Sequence, residues 1–319
     1  CGGFCIQFGC DWVAFLYASI AAILGMRLRQ VCNESGLNHY IGIAISAFVA
    51  TIIAWASTLL PAEWTSTPWH PLLACALFIV PGVPLINFVD DMLDNYIQVG
   101  IVRAVNTLLM VAAMAFGIAF AVKLCHIENF FPTISMVPHH QYWEYAIAAA
   151  ISAMGFSMIF NIQRRLLWVV AIGGIIAVCT RNFVNLGPST DNIGLDMGLV
   201  IGSFSGAVLV SLIAIKAVHW FHVPNHVLTI PSVIPMIPGV LMYRMLFGII
   251  NINVQSIDQV TPLMKAIESG VNSGLVIMCI ALGVAIPNIF GRRFIASSKN
   301  KRLAELLKER KARGKFVEW

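Results

Sequence analysis

Val80-Pro81-Gly82-Val83-Pro84-Leu85 interrupts an apolar run from Leu72 to Phe88, and Ile237-Pro238-Gly239-Val240-Leu241 interrupts a second run from Val227 to Leu246. Proline removes a backbone donor and clashes with the preceding turn, while glycine adds freedom, so a Pro-Gly pair deep in a hydrophobic segment breaks a helix. Hydrocarbon offers the freed backbone groups no partner. A broken helix at membrane depth is tolerated where it is buried in protein or lines a wet cavity, which makes Pro81, Gly82, Pro84, Pro238 and Gly239 candidates for a substrate site. A packing kink is the plain alternative for either break taken alone.

The rest of the chain puts both breaks in a membrane. Of 319 residues 59% are hydrophobic and 11% charged, and the mean hydropathy is +0.82. That composition fits an all-α, polytopic membrane helix bundle and excludes an ordinary soluble domain. Runs of bilayer-crossing length, about 17 to 25 residues, fall near 12–28, 39–60, 71–89, 100–125, 142–162, 166–183, 194–218, 227–247 and 266–290. A stub at 1–9 precedes them. Because the sequence opens at Cys1-Gly2-Gly3-Phe4 with neither Met nor signal peptide, the first helix is expected to be truncated.

Charge is local. Half of the 20 Lys and Arg residues follow Gly291, so the pI near 8.8 reflects a basic tail, 293–319, facing anionic lipid, with no nucleic-acid partner implied. Leu303, Leu306 and Leu307 recur in that tail at helical spacing, which predicts a basic amphipathic helix on the inner leaflet. With the tail cytoplasmic, Arg27, Arg29, Arg103, Arg164, Arg165 and Lys216 fall inside and Lys123, Arg181, Arg244 and Lys265 outside. Cys75, Cys125, Cys179 and Cys279 lie in or at the ends of apolar runs and read as small hydrophobes. Neither Cys1, Cys5 and Cys10 nor His219, His222 and His226 make a convincing metal set. No phosphate loop, nucleophile elbow or HExxH motif is present, so no enzyme, cofactor or metal is expected.

The chain repeats itself. Gly3-Phe4-Cys5-Ile6-Gln7-Phe8 matches Gly155-Phe156-Ser157-Met158-Ile159-Phe160 at a shift of 152, and Pro81-Gly82-Val83 matches Pro238-Gly239-Val240 at 157. Two units follow, 1–128 and 141–292, each of five spans if the truncated one is counted. An odd count inverts the second unit, as the basic Arg164 and Arg165 opposite Asp11 and Trp12 also indicate. Two inverted repeats, each with a broken Pro-Gly helix, are the architecture of alternating access.

Polar groups cluster after each break. Asn87, Asp91 and Asp94 are spaced to share a helix face with Asp90 adjoining, and a carboxylate beside a membrane cavity can take up a proton. Asp91 is the first candidate for coupling, with Asp90 close behind; a solvated acidic loop is the alternative. Tyr243 and Arg244 follow the second break, and Arg244 suits a substrate carboxylate or, more simply, snorkels to the interface. Gln7 and Asn161 hold neighbouring places in the repeats and either line a site or bond across helices.

These motifs together, FIVPGVPLINFVDDML at 78–93, FGCDW at 8–12, GFSMIFNIQRRLLW at 155–168 and VPNHVLTIPSVIPMIPGVLMYR at 223–244, resemble the threonine/serine exporter family of bacteria. The resemblance implies a ten-helix inner-membrane transporter whose halves are separate polypeptides in some bacteria, exporting small hydroxy amino acids at the expense of protons. On matching positions it points to Pro81, Gly82, Pro84, Asn87, Asp91, Pro238, Gly239, Tyr243 and Arg244. Fused members usually carry a soluble cytoplasmic domain ahead of the first helix, and a form without that domain is what the sequence, opening at Cys1, leads one to expect. Export of a dicarboxylate such as succinate is the nearest alternative, and a passive channel or a scaffold for a missing domain the alternative of another class. The sequence leaves open a homo-oligomer.

Overall fold

Caps written into the sequence set the helix boundaries. The Asp11 carboxylate accepts from Ala14 N at 2.7 Å and starts one helix; Asn38 Oδ1 accepts from Tyr40 N at 2.9 Å and starts the next. At the other ends the chain turns off through left-handed residues. Gly9 (φ 85°), Gly36 (φ 71°), Asn95 (φ 68°) and Asn161 (φ 54°) each follow a helix. Gly9 N donates to Ile6 O and Cys10 N to Cys5 O, and 152 residues later Asn161 N donates to Met158 O and Ile162 N to Ser157 O. Asn161 is therefore a helix terminator, and its pairing with Gly9 extends the sequence match into the backbone.

The structure is a computed structural model that describes residues 1–61, 63–127, 140–188, 193–221, 223–250 and 260–312; side chains at 219, 243, 247, 250, 260–262 and 292–312 lie outside the description. Every regular element among the described residues is helical. The α-helices are α1 (Gly2–Gln7), α2 (Trp12–Glu34), α3 (His39–Trp55), α4 (Pro71–Ala74), α5 (Gly82–Leu93), α6 (Ile97–Leu124), α7 (Tyr142–Ile159), α8 (Leu167–Asn185), α9 (Leu199–Phe221), α10 (Asn225–Val233), α11 (Gly239–Ile250) and α12 (Val260–Ala312). Short 3-10 turns at Leu77–Ile79 and Ile234–Met236 prolong α4 and α10 up to the breaks. Among the described residues six helices are long and apolar enough to cross a membrane, and the two bent pairs, each taken as one span, bring the number to eight. Over the expected span at 142–162 lies α7, whose 18 residues reach about 27 Å, though it is not one of those eight.

Packing follows one scheme twice. α2 lies on α3, α3 on α6 and α5 on α6; α8 lies on α9, α9 on α12 and α11 on α12. The two sets interlock, α5 against α12, α11 against α6 and α1 against α7. Glycines mark the closest approaches. A Cβ on Gly117 of α6 would stand 2.2 Å from the Ala44 carbonyl oxygen, and one on Gly283 of α12 2.9 Å from that of Phe204. The matched glycines of the first motif differ: Gly3 faces Ser152 Oγ and the Ala148 carbonyl, whereas nothing lies within 4 Å of a Cβ on Gly155. The tail also departs from the expectation. α12 runs unbroken to Ala312, 53 residues, far more than a bilayer needs, instead of giving way to a separate surface helix.

One end of the bundle is tied by two polar clasps. Asp11 Oδ2 accepts from Thr65 Oγ1 (2.8 Å), Ser66 N (2.7 Å) and Thr67 N (3.3 Å), fixing the segment after α3 to the start of α2. Burial works to raise the Asp11 carboxyl, and the hydrogen bonds from Ala14, Thr65, Ser66 and Thr67 outweigh it and hold it below its ordinary value. A depressed folded value stabilises the fold above the ordinary value of 3.8 and is lost as pH falls through the folded value. Asp11→Ala is therefore expected to cost about 1 to 2 kcal/mol at neutral pH, and less in acid, in melting curves of the detergent-purified protein. In the second clasp His140 Nδ1 lies 2.9 Å from Glu144 Oε2 and Nε2 2.8 Å from the Cys10 carbonyl oxygen, while Trp12 Nε1 donates to Glu144 Oε1.

Candidate functional site

The two breaks touch. Pro71–Ile79 and Gly82–Leu93 meet at 57°, and Asn225–Met236 and Gly239–Leu246 at 62°. Each break is a three-residue turn, with Gly82 N donating to Val80 O and Gly239 N to Ile237 O, both at 2.8 Å. Proline supplies the required backbone angles at the first, Pro81 having φ −78° and ψ 65°. A Cβ on Gly82 would come within 2.9 Å of Ile237 Cδ1, and one on Gly239 within 2.8 Å of Leu77 Cδ2. Each glycine thus makes room for aliphatic side chains of the other break. Phe4 and Phe156, the matched aromatics of the first motif, close the same spot edge to face at 6.0 Å.

The space left is about 10 Å³, lined by Phe4, Leu77, Val80, Gly82, Phe156, Ile234, Ile237 and Gly239. That holds one water at most. The sequence makes the breaks candidates for a substrate site; what lies between them is a tight apolar seal, because the residues flanking both Pro-Gly pairs are large and aliphatic. A cavity of about 270 Å³ lies instead between α8, α9 and α10, lined by Trp168, Ile172, Ile213, Trp220 and their neighbours, with Trp168 and Trp220 largely exposed.

The acidic residues lie at the far end of α5. Asp90 and Asp91 occupy its last turn and Asp94 its cap, where the negative end of the helix dipole favours a nearby cation. Arg103 of α6 pairs with Asp91 at 2.5 Å, and His226 of α10 lies 4.0 Å from Asp90. The first pair joins neighbouring helices, and the second joins the broken helices of opposite halves. Beside them Asn225 Nδ2 donates to Asn288 Oδ1. Asn87 and Pro84 are half-buried on α5, and Pro81 and Gly82 fully buried. Pro238 is half-buried at the second break next to buried Gly239, and Arg244 is half-buried on α11. The side chain of Tyr243 lies outside the described residues, as does all of His222.

Sequence reasoning missed a second polar group. It counted Arg181 among the charges near the outer span ends and gave it no further role, whereas the residue sits within α8 and donates to Gln7 Oε1 of α1 at 3.2 Å. The signal was present: Arg181-Asn182-Phe183-Val184-Asn185 matches Arg29-Gln30-Val31-Cys32-Asn33 at the same shift of 152.

A polytopic helical bundle in which two broken spans meet at their breaks has the build of a membrane transporter. The chain belongs to the threonine/serine exporter family: residues 1–125 match the family described as "Putative threonine/serine exporter" and residues 145–290 the one described as "Threonine/Serine exporter, ThrE". Among curated proteins it is similar to the "Probable succinate transporter subunit YjjP" of Klebsiella aerogenes, 32% identical over 124 residues. The protein of the same description from Escherichia coli K12 is 31% identical over 124 residues. Each match covers 39% of this chain and 48% of the relative, so the chain spans about half the length of these relatives. No solved structure matches it.

Proposed function

We propose that the chain exports small hydroxy amino acids, threonine and serine, across a bacterial inner membrane in exchange for protons, with the tail end of α12 in the cytoplasm. The reciprocal seal between the two Pro-Gly breaks carries this reading. Two inverted halves, 1–128 and 141–292, meet there, and rocking one against the other opens the path to one side or the other. Asp90 and Asp91 are the groups through which a proton couples. Asp90 is the better placed, since its partner His226 belongs to the opposite half while Asp91 is held by Arg103. In proteoliposomes an imposed pH gradient is expected to drive radiolabelled threonine uphill. Flux that runs only downhill and ignores the gradient would indicate a passive channel, and no flux of any solute a scaffold.

A second reading, export of a dicarboxylate such as succinate, is supported by the similarity to proteins described as probable succinate transporter subunits and by Arg181, a cationic group within the bundle that has neutral partners. Competition between threonine, serine and succinate in the same vesicles ranks the two.

A further inference from the structure

Arg181 lies in α8, four residues before the helix ends at Asn185. Its Nε and Nη2 donate to Asn182 Oδ1 at 3.1 and 3.0 Å, and Nη2 donates also to Gln7 Oε1 at 3.2 Å. Both acceptors are neutral amides, and among the described residues no carboxylate lies within ion-pair distance of this guanidinium. Gln7 is 8% exposed. Its oxygen is committed to Arg181, which fixes the orientation of the amide, and its Nε2 has no hydrogen-bond partner. A half-buried guanidinium without a counter-ion and a buried N–H without an acceptor are both costly. Together they form a donor-rich spot that lacks an anion.

Position adds to chemistry. Gln7 follows Phe4 by three residues, so the two share a face of α1 one turn apart, and Phe4 closes the seal. α1 belongs to the first half and α8 to the second, so the donors converge across the surface that parts when the seal opens. Arg244, the cation to which the sequence points, sits on α11, which packs mainly on α6 and α12.

We propose that Arg181 and Gln7 form the carboxylate-receiving station of the transport path, binding a substrate carboxylate through the guanidinium and the amide N–H, with Asn182 orienting the guanidinium. The proposal rests on the transporter reading above and names the group that reads the anionic end of the substrate. Threonine, serine and a dicarboxylate all offer that end, and the experiment separates the amino acid from the dicarboxylate.

The test uses the full chain in proteoliposomes under a pH gradient, with L-threonine, succinate and L-threoninol, in which the carboxylate is replaced by CH2OH. The wild type is expected to move threonine or succinate and to ignore threoninol. Arg181→Gln is expected to lower the rate for the carboxylate substrate about 100-fold, with Arg181→Lys in between, since a point charge keeps attraction but loses the fork. Gln7→Ala is expected to raise KM several-fold with little change in kcat. Wild-type KM in Arg181→Gln, or equal handling of threoninol, would overturn the station while leaving transport intact. Should the Arg181 variants fail to accumulate, an unchanged KM in Gln7→Ala overturns it. Should the wild type move neither acid, the transport reading falls. The station then stands only if millimolar threonine or succinate raises the melting temperature of the wild type and not of Gln7→Ala.

Discussion

Replacing Gly117 by leucine is expected to stop the chain from holding its fold. The new Cβ would lie 2.2 Å from the Ala44 carbonyl oxygen, 3.0 Å from its carbon and 3.1 Å from Ala47 Cβ. Two of these three atoms are backbone of α3, so no side-chain rotation relieves the clash. α3 and α6 must separate along their length, at a cost of at least about 3 kcal/mol, the upper part of the range for overpacking. Size-exclusion chromatography in detergent should show aggregate in place of a single peak. Gly155→Leu is the control. Nothing lies within 4 Å of its Cβ, and that variant should elute as the wild type does.

Asp90→Asn is expected to keep threonine exchange and to abolish its response to a pH gradient. The carboxylate stands at the negative end of α5 with His226 of the other half 4.0 Å away, an arrangement in which a proton can pass between the partners as the halves move. An amide keeps the shape and cannot carry the proton. Counterflow of labelled threonine without a gradient should therefore persist, while gradient-driven accumulation falls to background. Asp91→Asn should do much less, because an asparagine oxygen still accepts from Arg103 and a half-exposed pair contributes only about 0.2 to 1 kcal/mol. Full coupling in Asp90→Asn would remove that residue from the mechanism.

The breaks were legible because proline and glycine act locally: Pro81-Gly82 and Pro238-Gly239 end one helix and start another whatever surrounds them. Short strings suggest a repeat, and the backbone turns alike at positions the strings did not reach, Gly9 and Asn161 both being left-handed. Identity of residue did not ensure identity of role. Gly3 is pressed against Ala148 and Ser152, while Gly155 faces open space, because only the first of the pair faces the other half at that point. The character of the space between the breaks was hidden, since it depends on which aliphatic side chains cross from the opposite half. Arg181 escaped notice for a similar reason: positive charge near a span end reads as a loop marker, and only the fold shows Gln7 waiting beside it. The split between Asp90 and Asp91 likewise follows from Arg103 and His226, which lie on other helices.

Neither half owns a complete seal. Gly82 is covered by Ile234 and Ile237, and Gly239 by Leu77 and Val80, so a half made alone would present a notch and bare aliphatic residues where its sister belongs. Synthesis of the chain as one polypeptide places both surfaces on the same molecule, and the second half can dock as soon as it emerges. Divided at residues 128–141, the pieces would have to find each other in the bilayer by that same notch, which makes the break a recognition surface for assembly.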